Sequence, residues 1–594
     1  MRNTVAFANN DVVTIAWSYG VKPEGCMGFA LYRIDSTGNE TALPSHAVFP
    51  GETIKAGQTT ADFPIQKFYW KDVYARPEGD KSGNYTFRYK VVPLEGAPGS
   101  LKPMACLPIL TTNAVTVTGV CSQSLTAIFN RGLISTQHVS QALKGNISKN
   151  KLLDMIKDPT NQLRHDLAGD ITKTLTGFVA RTKNGGSIYA ALYELTDVEL
   201  VQSLVGIGKK LNIVLANIVA KPVKGGSEET PGENDDSETK LKASAKSLLY
   251  RNPPSGHIVH NKFLIYVDPG DVPQAVLTGS CNWTDTGMCA QTNNSIVIED
   301  KAVAARYLAY WKKLQADEIA HEKGSPFQDK PLRTFNGTGK DISLDKGSDD
   351  ASMLTSYFSP STPSARKKTR GKTEPSPVDM KDLKDRVMAA KNAVLFLAFI
   401  PGTPSIVDFA AAAQKANKNL FVRGCVTSPD AAGSFFYDMK GTSPPKKQKG
   451  AKNAPAPQDA RVIAATALGK TVPDGWQKEL LKAGFAITHD KIVVIDPFAD
   501  DCVVVTGSNN LGFQASYNND ENLVMIAGNK KLAMAYATHV LDVYDHFAWR
   551  WTEEKGTSTD ANLKTKPDDW LSWYFDAQGN IKTAQLKFWM QATV

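Results

Sequence analysis

The 594-residue chain reads as α/β: two related lobes of alternating strands and helices, preceded by a small all-β sandwich. Three observations predict this. The first 112 residues carry β-branched and aromatic runs divided by turn-rich stretches. From ~120 onward, strand-like apolar runs alternate with helical patterns. The strand–helix–strand order then returns after ~230 residues, a period too long for a solenoid.

In the β module, residues 1–112, the strand candidates are VVTIAWSY (12–19), FALYRI (29–34) and NYTFRYKVV (84–92), with DSTGNE and PEGDKSGN as turns. Their spacing predicts a sandwich. A Trp on an early strand, a Tyr on the next and a late Y-x-F-x-Y-x-V strand make this part similar to a fibronectin type III or immunoglobulin-like module. The resemblance implies an accessory domain without chemistry.

The first lobe, 113–345, opens its repeat with SIYAALYEL (187–195), the helical TDVELVQSLVGIGKK and the strand LNIVLANI (211–218). The second lobe, 381–594, answers with AVLFLAFI (393–400), the helical PSIVDFAAAAQKANKN and LFVRGCV (420–426). Residues 346–380 read as a linker with a basic, proline-rich insertion. Residues 225–238, 359–377 and 442–457 all have linker composition, which predicts mobility.

Composition narrows the class. With 42% hydrophobic and 22% charged residues the chain is globular, not disordered or fibrous. Seven scattered cysteines without a CxxC pair predict thiols and no disulfide framework. The first twenty residues lack a signal-peptide pattern, and the most apolar run, Ala393 to Ile400, falls far short of the ~20 residues that span a bilayer. The expectation is a protein without a transmembrane segment, cytoplasmic or exported without a classical signal peptide. The net charge of +8 comes from two short segments: 366–372 contributes +5 and 446–452 contributes +4, leaving −1 for the rest. That is no continuous basic face.

The chemistry sits in a duplicated constellation. The first copy reads HNKFLIYVD (260–268), then VLTGSCNWTDTGMCAQTNN (276–294); the second reads HDKIVVID (489–496), then VVTGSNNLGFQASYNNDEN (504–522). The offset is 229 residues at His260 and His489 and 228 at Gly279 and Gly507. On a strand, His and Lys at i and i+2 project from one face. Two lobes related by a pseudo-twofold axis would therefore bring His260, Lys262, His489 and Lys491 into one site. Such a site suits substitution at a phosphodiester. One imidazole attacks phosphorus and holds it as phosphohistidine. The other protonates the leaving alkoxide, then activates water. The lysines, with Ser280, Asn282, Ser508 and Asn510, hold the phosphate oxygens. The motif offers lysines and amides where a metal site would offer converging carboxylates, so neither metal nor cofactor is expected.

These residues resemble the paired HKD motifs of the phospholipase D superfamily over roughly residues 120–594. The resemblance implies catalytic roles for His260, Lys262, His489 and Lys491, and structural roles for the motif aspartates Asp268 and Asp496. The first motif departs from the family spacing by one residue, which predicts a small bulge before Asp268. Eleven residues beyond each tail Asn the family places a group that orients its histidine: Asn293 in the first copy, Glu521 in the second. Read within each copy, Glu521 would back His489 as the general acid, and Asn293 would back His260 as the nucleophile.

Two motifs on one chain favour a monomeric phospholipase D-type enzyme that turns phospholipid into phosphatidic acid and a head-group alcohol, with peripheral membrane contact. The alternative is a nuclease or DNA-end-processing phosphodiesterase acting on nucleic acid. A third reading is an inactive phosphate-binding scaffold. His546 in YDHFAWRW reads as a helix-end residue packed on Trp549, and the Trp-rich tail as a staple across the two lobes. Glu194 in YELTD reads equally as a contact to a polar head group or ribose and as a solvated strand-end acid. Neither Cys281 nor Cys289 has a cationic partner in sequence that would mark a reactive thiol.

Overall fold

A computed structural model describes residues 3–45, 47–76, 85–132, 149–218, 232–366, 374–445, 457–465, 487–554 and 562–592. The basic runs of 366–372 and 446–452 fall almost wholly outside these residues.

The N-terminal region is all-β. Asn3–Ala8, Val13–Ser18 and Tyr69–Asp72 form a three-stranded antiparallel sheet. It faces a second sheet built on Gly28–Ile34 and the long strand Tyr85–Glu95. Trp17 and Phe29 meet edge to face across the interior, ring centres 5.2 Å apart. The module extends past residue 112, because Val115–Val117 still pairs with Tyr85–Phe87.

Val13–Ser18 is buried on both faces, which a free-standing sandwich would not require. Its outer side is covered by the long helix Lys530–Glu554, where the Thr14 hydroxyl reaches Thr538. Tyr69 donates to Asp545 at 2.7 Å, and Lys71 pairs with Asp542 at 2.7 Å. The module is thus docked on the second lobe.

Each lobe is one mixed sheet, and the two match strand for strand. In the first, Leu125–Phe129, Asn294–Ile298, Pro273–Gly279, Lys262–Val267, Ser187–Leu192, Leu211–Ala216 and Ser247–Arg251 lie side by side in that order. In the second, Ser352–Ser359, Glu521–Ala527, Val503–Gly507, Lys491–Ile495, Ala393–Ala398, Phe421–Val426 and Val462–Ala464 repeat it, with Lys340–Leu344 added outside Ser352–Ser359. The sequence-predicted strand–helix–strand units form as right-length crossovers: Val198–Gly206 and Ile406–Ala416 each join two parallel strands. Asp197 and Ser405 cap these helices with their side chains, as short polar residues before an apolar periodic run should.

Three readings are corrected. The segment 346–380 is not simply a linker, since Ser352–Ser359 is an interior strand paired on both sides. The acidic stretch ends in a helix, Asp235–Ser244, whose first turn carries Asp235, Asp236 and Glu238, where carboxylates oppose the helix dipole's positive end. The C-terminal tail staples the β module to the second lobe, not the two lobes to each other. Trp570 packs on Phe29 and Phe68, and Trp589 on Tyr69 and Phe498.

Candidate active site

The two sheets bring their His-x-Lys segments together. His260 and His489 each stand just before a central strand, Lys262–Val267 and Lys491–Ile495. The residue between His and Lys points to the opposite face and is tied to a helix. Asn261 donates to the Tyr310 hydroxyl at 3.0 Å, and Asp490 meets His539 Nε2 at 2.9 Å. Alternation therefore leaves His260, Lys262, His489 and Lys491 on the site side, 6%, 2%, 4% and 0% exposed. Each lysine Nζ turns back to its own histidine's carbonyl, at 2.9 Å for Lys262 and 2.5 Å for Lys491.

The partners of the histidines are crossed. His260 Nδ1 lies 2.9 Å from Glu521 Oε2, and His489 Nδ1 lies 3.1 Å from Asn293 Oδ1. Each orienting group comes from the other lobe, which corrects the within-copy pairing expected from sequence. The backbone explains the exchange. His260 N–H donates to Asp520 O at 2.9 Å and His489 N–H to Thr292 O at 3.0 Å. Each histidine is thus docked on the residue just before the other lobe's orienting group.

This arrangement fixes both tautomers. Asn293 Nδ2 donates to Gly287 O and its Oδ1 accepts from Ser280 Oγ, so Oδ1 faces His489 as an acceptor. His260 Nδ1 faces two acceptors, Glu521 and Ser508 O. Both rings carry hydrogen on Nδ1 and direct Nε2 away from these partners.

The sequence-predicted tail residues divide into two kinds. Ser280 and Ser508 are fully buried and brace the orienting groups: Ser280 Oγ contacts Asn293, and Ser508 Oγ accepts Asn522 N–H at 3.0 Å. They support the site rather than line it. Gly279 and Gly507 precede them at φ 150° and 145°, and a Cβ on either would lie 2.3 Å from a carbonyl oxygen of the neighbouring strand. Asn282 and Asn510 each leave a buried Oδ1 without a hydrogen-bond partner. Their amides have capacity for a further contact.

The motif aspartates lie at the far ends of their strands. Asp496 accepts the backbone N–H groups of Lys391, Asn392 and Ala393. Asp268 accepts those of Gly270 and Val272, and the strand register shifts between Tyr266 and Val267, just before it. Both organise turns roughly 25 Å from the histidines at ~3.3 Å per strand residue.

Sequence reasoning missed several neighbours. Tyr193 and Phe399 end equivalent strands and lie against His260 and His489, centroids 4.9 and 4.8 Å away. Their rings also face Lys262 and Lys491 at 5.0 and 5.3 Å. Aligning the repeats strand end to strand end would have found both. Glu194 accepts a hydrogen bond from Asn282 Nδ2. His546 packs on Phe547 instead of Trp549, which is 56% exposed.

Burial and the two lysine charges hold both imidazoles well below their ordinary pKa. Burial pushes Glu521 up to about 7. It also drives Lys262 down to about 8, and Lys491 far down with the help of Lys262. Cys281 and Cys289 are buried thiols pushed upward by desolvation. Among the described residues, no cluster of three or more His, Cys, Asp or Glu is placed to hold a metal ion, and no helix is long and apolar enough to cross a membrane.

Residues 181–315 match the family model described as cardiolipin synthase, PLD-like domain. No curated protein matches the chain. Solved structures similar to it include polyphosphate kinase from Porphyromonas gingivalis, at 10% identity and TM-score 0.33, covering 65% of this chain but only 50% of the kinase. Phosphatidylserine synthase from Haemophilus influenzae Rd KW20 shares 9% identity over 68% of this chain and 87% of that one, with TM-score 0.38. Yeast tyrosyl-DNA phosphodiesterase shares 10% identity over 59% of this chain and 84% of that one, with TM-score 0.30. The match to this PLD-like domain model spans the first His-x-Lys motif and its Gly-Ser-x-Asn tail.

Proposed function

We propose that the protein is a phosphodiesterase of phospholipase D type, and that its substrate is a phospholipid. The observation that carries the reaction class is the crossed pair: two Nε2 atoms freed by fixed tautomers, beside two buried lysines. His260 Nε2 forms a bond to phosphorus as the bond to the leaving oxygen breaks, and that oxygen takes a proton from His489 Nε2. His489 then removes a proton from water, the water oxygen attacks phosphorus, and the phosphorus–nitrogen bond breaks to release phosphatidic acid. Lys262 and Lys491 neutralise the growing phosphoryl charge, so no step requires a metal ion. The anionic substrate raises both imidazole pKa values on entry, and His489 then takes up from solvent the proton that it passes to the leaving oxygen.

Attack places a positive charge on the imidazole. Glu521 stands behind His260 and offsets that charge, which supports His260 as the nucleophile even though its partner differs from the one expected. Asn293 behind His489 leaves a more acidic imidazolium, suited to protonating an alkoxide. The lipid reading is supported by exposed aliphatic side chains near the histidines: Ile258, two residues before His260, is 39% exposed, and Ile400, next to Phe399, is 53% exposed.

Phosphatidylcholine vesicles incubated with wild type and His260→Ala test this reading. Choline release by wild type alone is expected. No release, with His260-dependent cleavage of single-stranded DNA in EDTA, would replace the lipid by nucleic acid.

A further inference from the structure

Behind the two His-x-Lys segments the lobes repeat a second layer of side chains, and the copies differ at one pair. Four pairs of positions recur at an offset of 229: Phe129 and Phe358, Asn261 and Asp490, Tyr307 and Tyr536, Tyr310 and His539. In the first lobe Asn261 donates to the Tyr310 hydroxyl, and the Tyr310 ring stacks on Phe358 of the other lobe, centres 4.1 Å apart. In the second lobe the same places hold Asp490 and His539, with Nε2 2.9 Å from Oδ2. The His539 ring stacks on Phe129 of the first lobe at 4.4 Å. The packing is the same and the chemistry is not: an uncharged amide and phenol in one half, an acid and an imidazole in the other.

The acid is unfavourable where it stands. Asp490 is fully buried, and its Oδ1 has no hydrogen-bond partner among the described residues. In the first lobe Asn522 Nδ2 donates to Asn261 Oδ1 at 3.1 Å, whereas its counterpart Asn294 directs Nδ2 to Thr506 and Tyr536. Packing alone is served by asparagine, as the first lobe shows. What Asp490 adds is charge.

That charge falls on the next residue, Lys491, which is fully buried. The field of Lys262 opposes protonation of Lys491, and those of Glu521, Asp490 and Glu194 favour it. Glu521 is committed to His260, and Glu194 to Asn282. Of the three acids, only Asp490 belongs to the lysine's own motif, and the first motif has Asn261 in its place. Cys281, Cys425 and Tyr536 also feel Asp490, and burial holds all three uncharged. His539 is fixed in turn by its helix, Lys530–Glu554, which the β module holds through Thr538, Asp542 and Asp545.

We propose that Asp490 and His539 are positioning residues for phosphate binding: His539 fixes the carboxylate beneath the second motif, and the carboxylate keeps Lys491 charged beside Lys262. The inference rests on the reading that Lys491 holds the substrate phosphate, and adds two residues that touch no substrate.

Calorimetric binding of inorganic phosphate at pH 8 and cleavage of bis(p-nitrophenyl) phosphate test it separately. Asp490→Asn keeps the shape and an acceptor for His539. It should weaken phosphate binding about tenfold, the loss expected when a buried cation loses one neighbouring charge. KM for the diester should rise by a similar factor, with a smaller change in kcat. The double variant Asp490→Asn/His539→Tyr rebuilds the first lobe's pair, and should melt near wild type while binding stays weak. In Lys491→Arg, whose guanidinium stays charged unaided, adding Asp490→Asn should cause no further loss. Unchanged binding in Asp490→Asn, binding restored in the double variant, or a full loss in the Lys491→Arg background would overturn the proposal. Cleavage that does not depend on Asp490 would remove this inference alone. Asp490-dependent phosphate binding without cleavage would remove the phosphodiesterase reading alone.

Discussion

Nδ1 of His260 lies 2.9 Å from Oε2 of Glu521, although the two residues are 261 positions apart and belong to different lobes. The mirror contact, His489 to Asn293, crosses in the other direction. Neither lobe holds a complete histidine–acceptor pair, so the site exists only where the two sheets meet. Duplication here has made one site with unlike halves.

The first prediction follows from the charge behind His260. A phosphoenzyme quenched at alkaline pH should carry its phosphoryl group on His260. Glu521→Gln should lower kcat by about 10²-fold, the range in which a positioned acid–base partner acts. Peptide mapping of the label to His489 would reverse the roles.

The lysines predict a trade of stability for function. Lys262 and Lys491 are buried, and among the described residues each Nζ hydrogen-bonds only its own histidine's carbonyl. The charges of Glu521 and Glu194 offset only part of the desolvation that lowers both lysines, and under-compensated buried cations destabilise a fold. Lys262→Met and Lys491→Met should each raise stability by about 1 to 2 kcal/mol while abolishing cleavage. Thermal unfolding checks this; a lowered melting temperature in both variants would show that the lysines pack as structural residues.

Arg251 supports the floor beneath His260. It is fully buried with Asp317 at 2.8 Å, Glu318 at 3.1 Å and Asp520 at 2.6 Å, and Asp520 O receives the His260 N–H. Removing the cation at the centre of such a cluster strands buried carboxylates, so Arg251→Met should cost about 3 to 5 kcal/mol at neutral pH. Burial already raises Asp520 and Glu318 despite Arg251. Without it they would rise further. Folded values above unfolded ones favour the native state at low pH, so the variant should regain part of its stability on mild acidification. Denaturant melts at pH 7 and 5 would expose a loss that does not recover.

The repeat was legible because apolar strands and a His-x-Lys doublet leave period-two signals in sequence. What was lost depended on contacts between lobes. The crossed partners of His260 and His489 arise from the docking of Asp520 and Thr292, and no spacing within either copy encodes that. Ser352–Ser359 was hidden for a different reason. Its Ser and Thr residues look like linker composition, yet it lies between two strands that satisfy its backbone. Glu194 was visible but undecided, since a strand-end acid gains meaning only when Asn282 is seen beside it.

The same buried groups set a pH profile. Glu521 must be ionised to offset charge on His260, and burial places its pKa at about 7. Lys262 must be protonated to hold the phosphate, and burial lowers it to about 8. In the free enzyme the ionisation of Glu521 sets the acid side of kcat/KM at about 7. His489 and Lys491, both held far down, already lower the rate as pH rises, and Lys262 adds a further limb at about 8. Bound phosphate stabilises the ammonium, so the alkaline limb of kcat should lie at higher pH than that of kcat/KM. Folding stability should move in the opposite sense on the alkaline side. Unfolded Lys262 keeps its proton up to its ordinary 10.5, the folded protein only to about 8, so the unfolded state binds more protons between these values and stability rises with pH. Lys262→Arg, which stays charged, should remove the kcat/KM limb near 8. A limb that persists in Lys262→Arg would assign it to another group, with Lys491 the next to substitute.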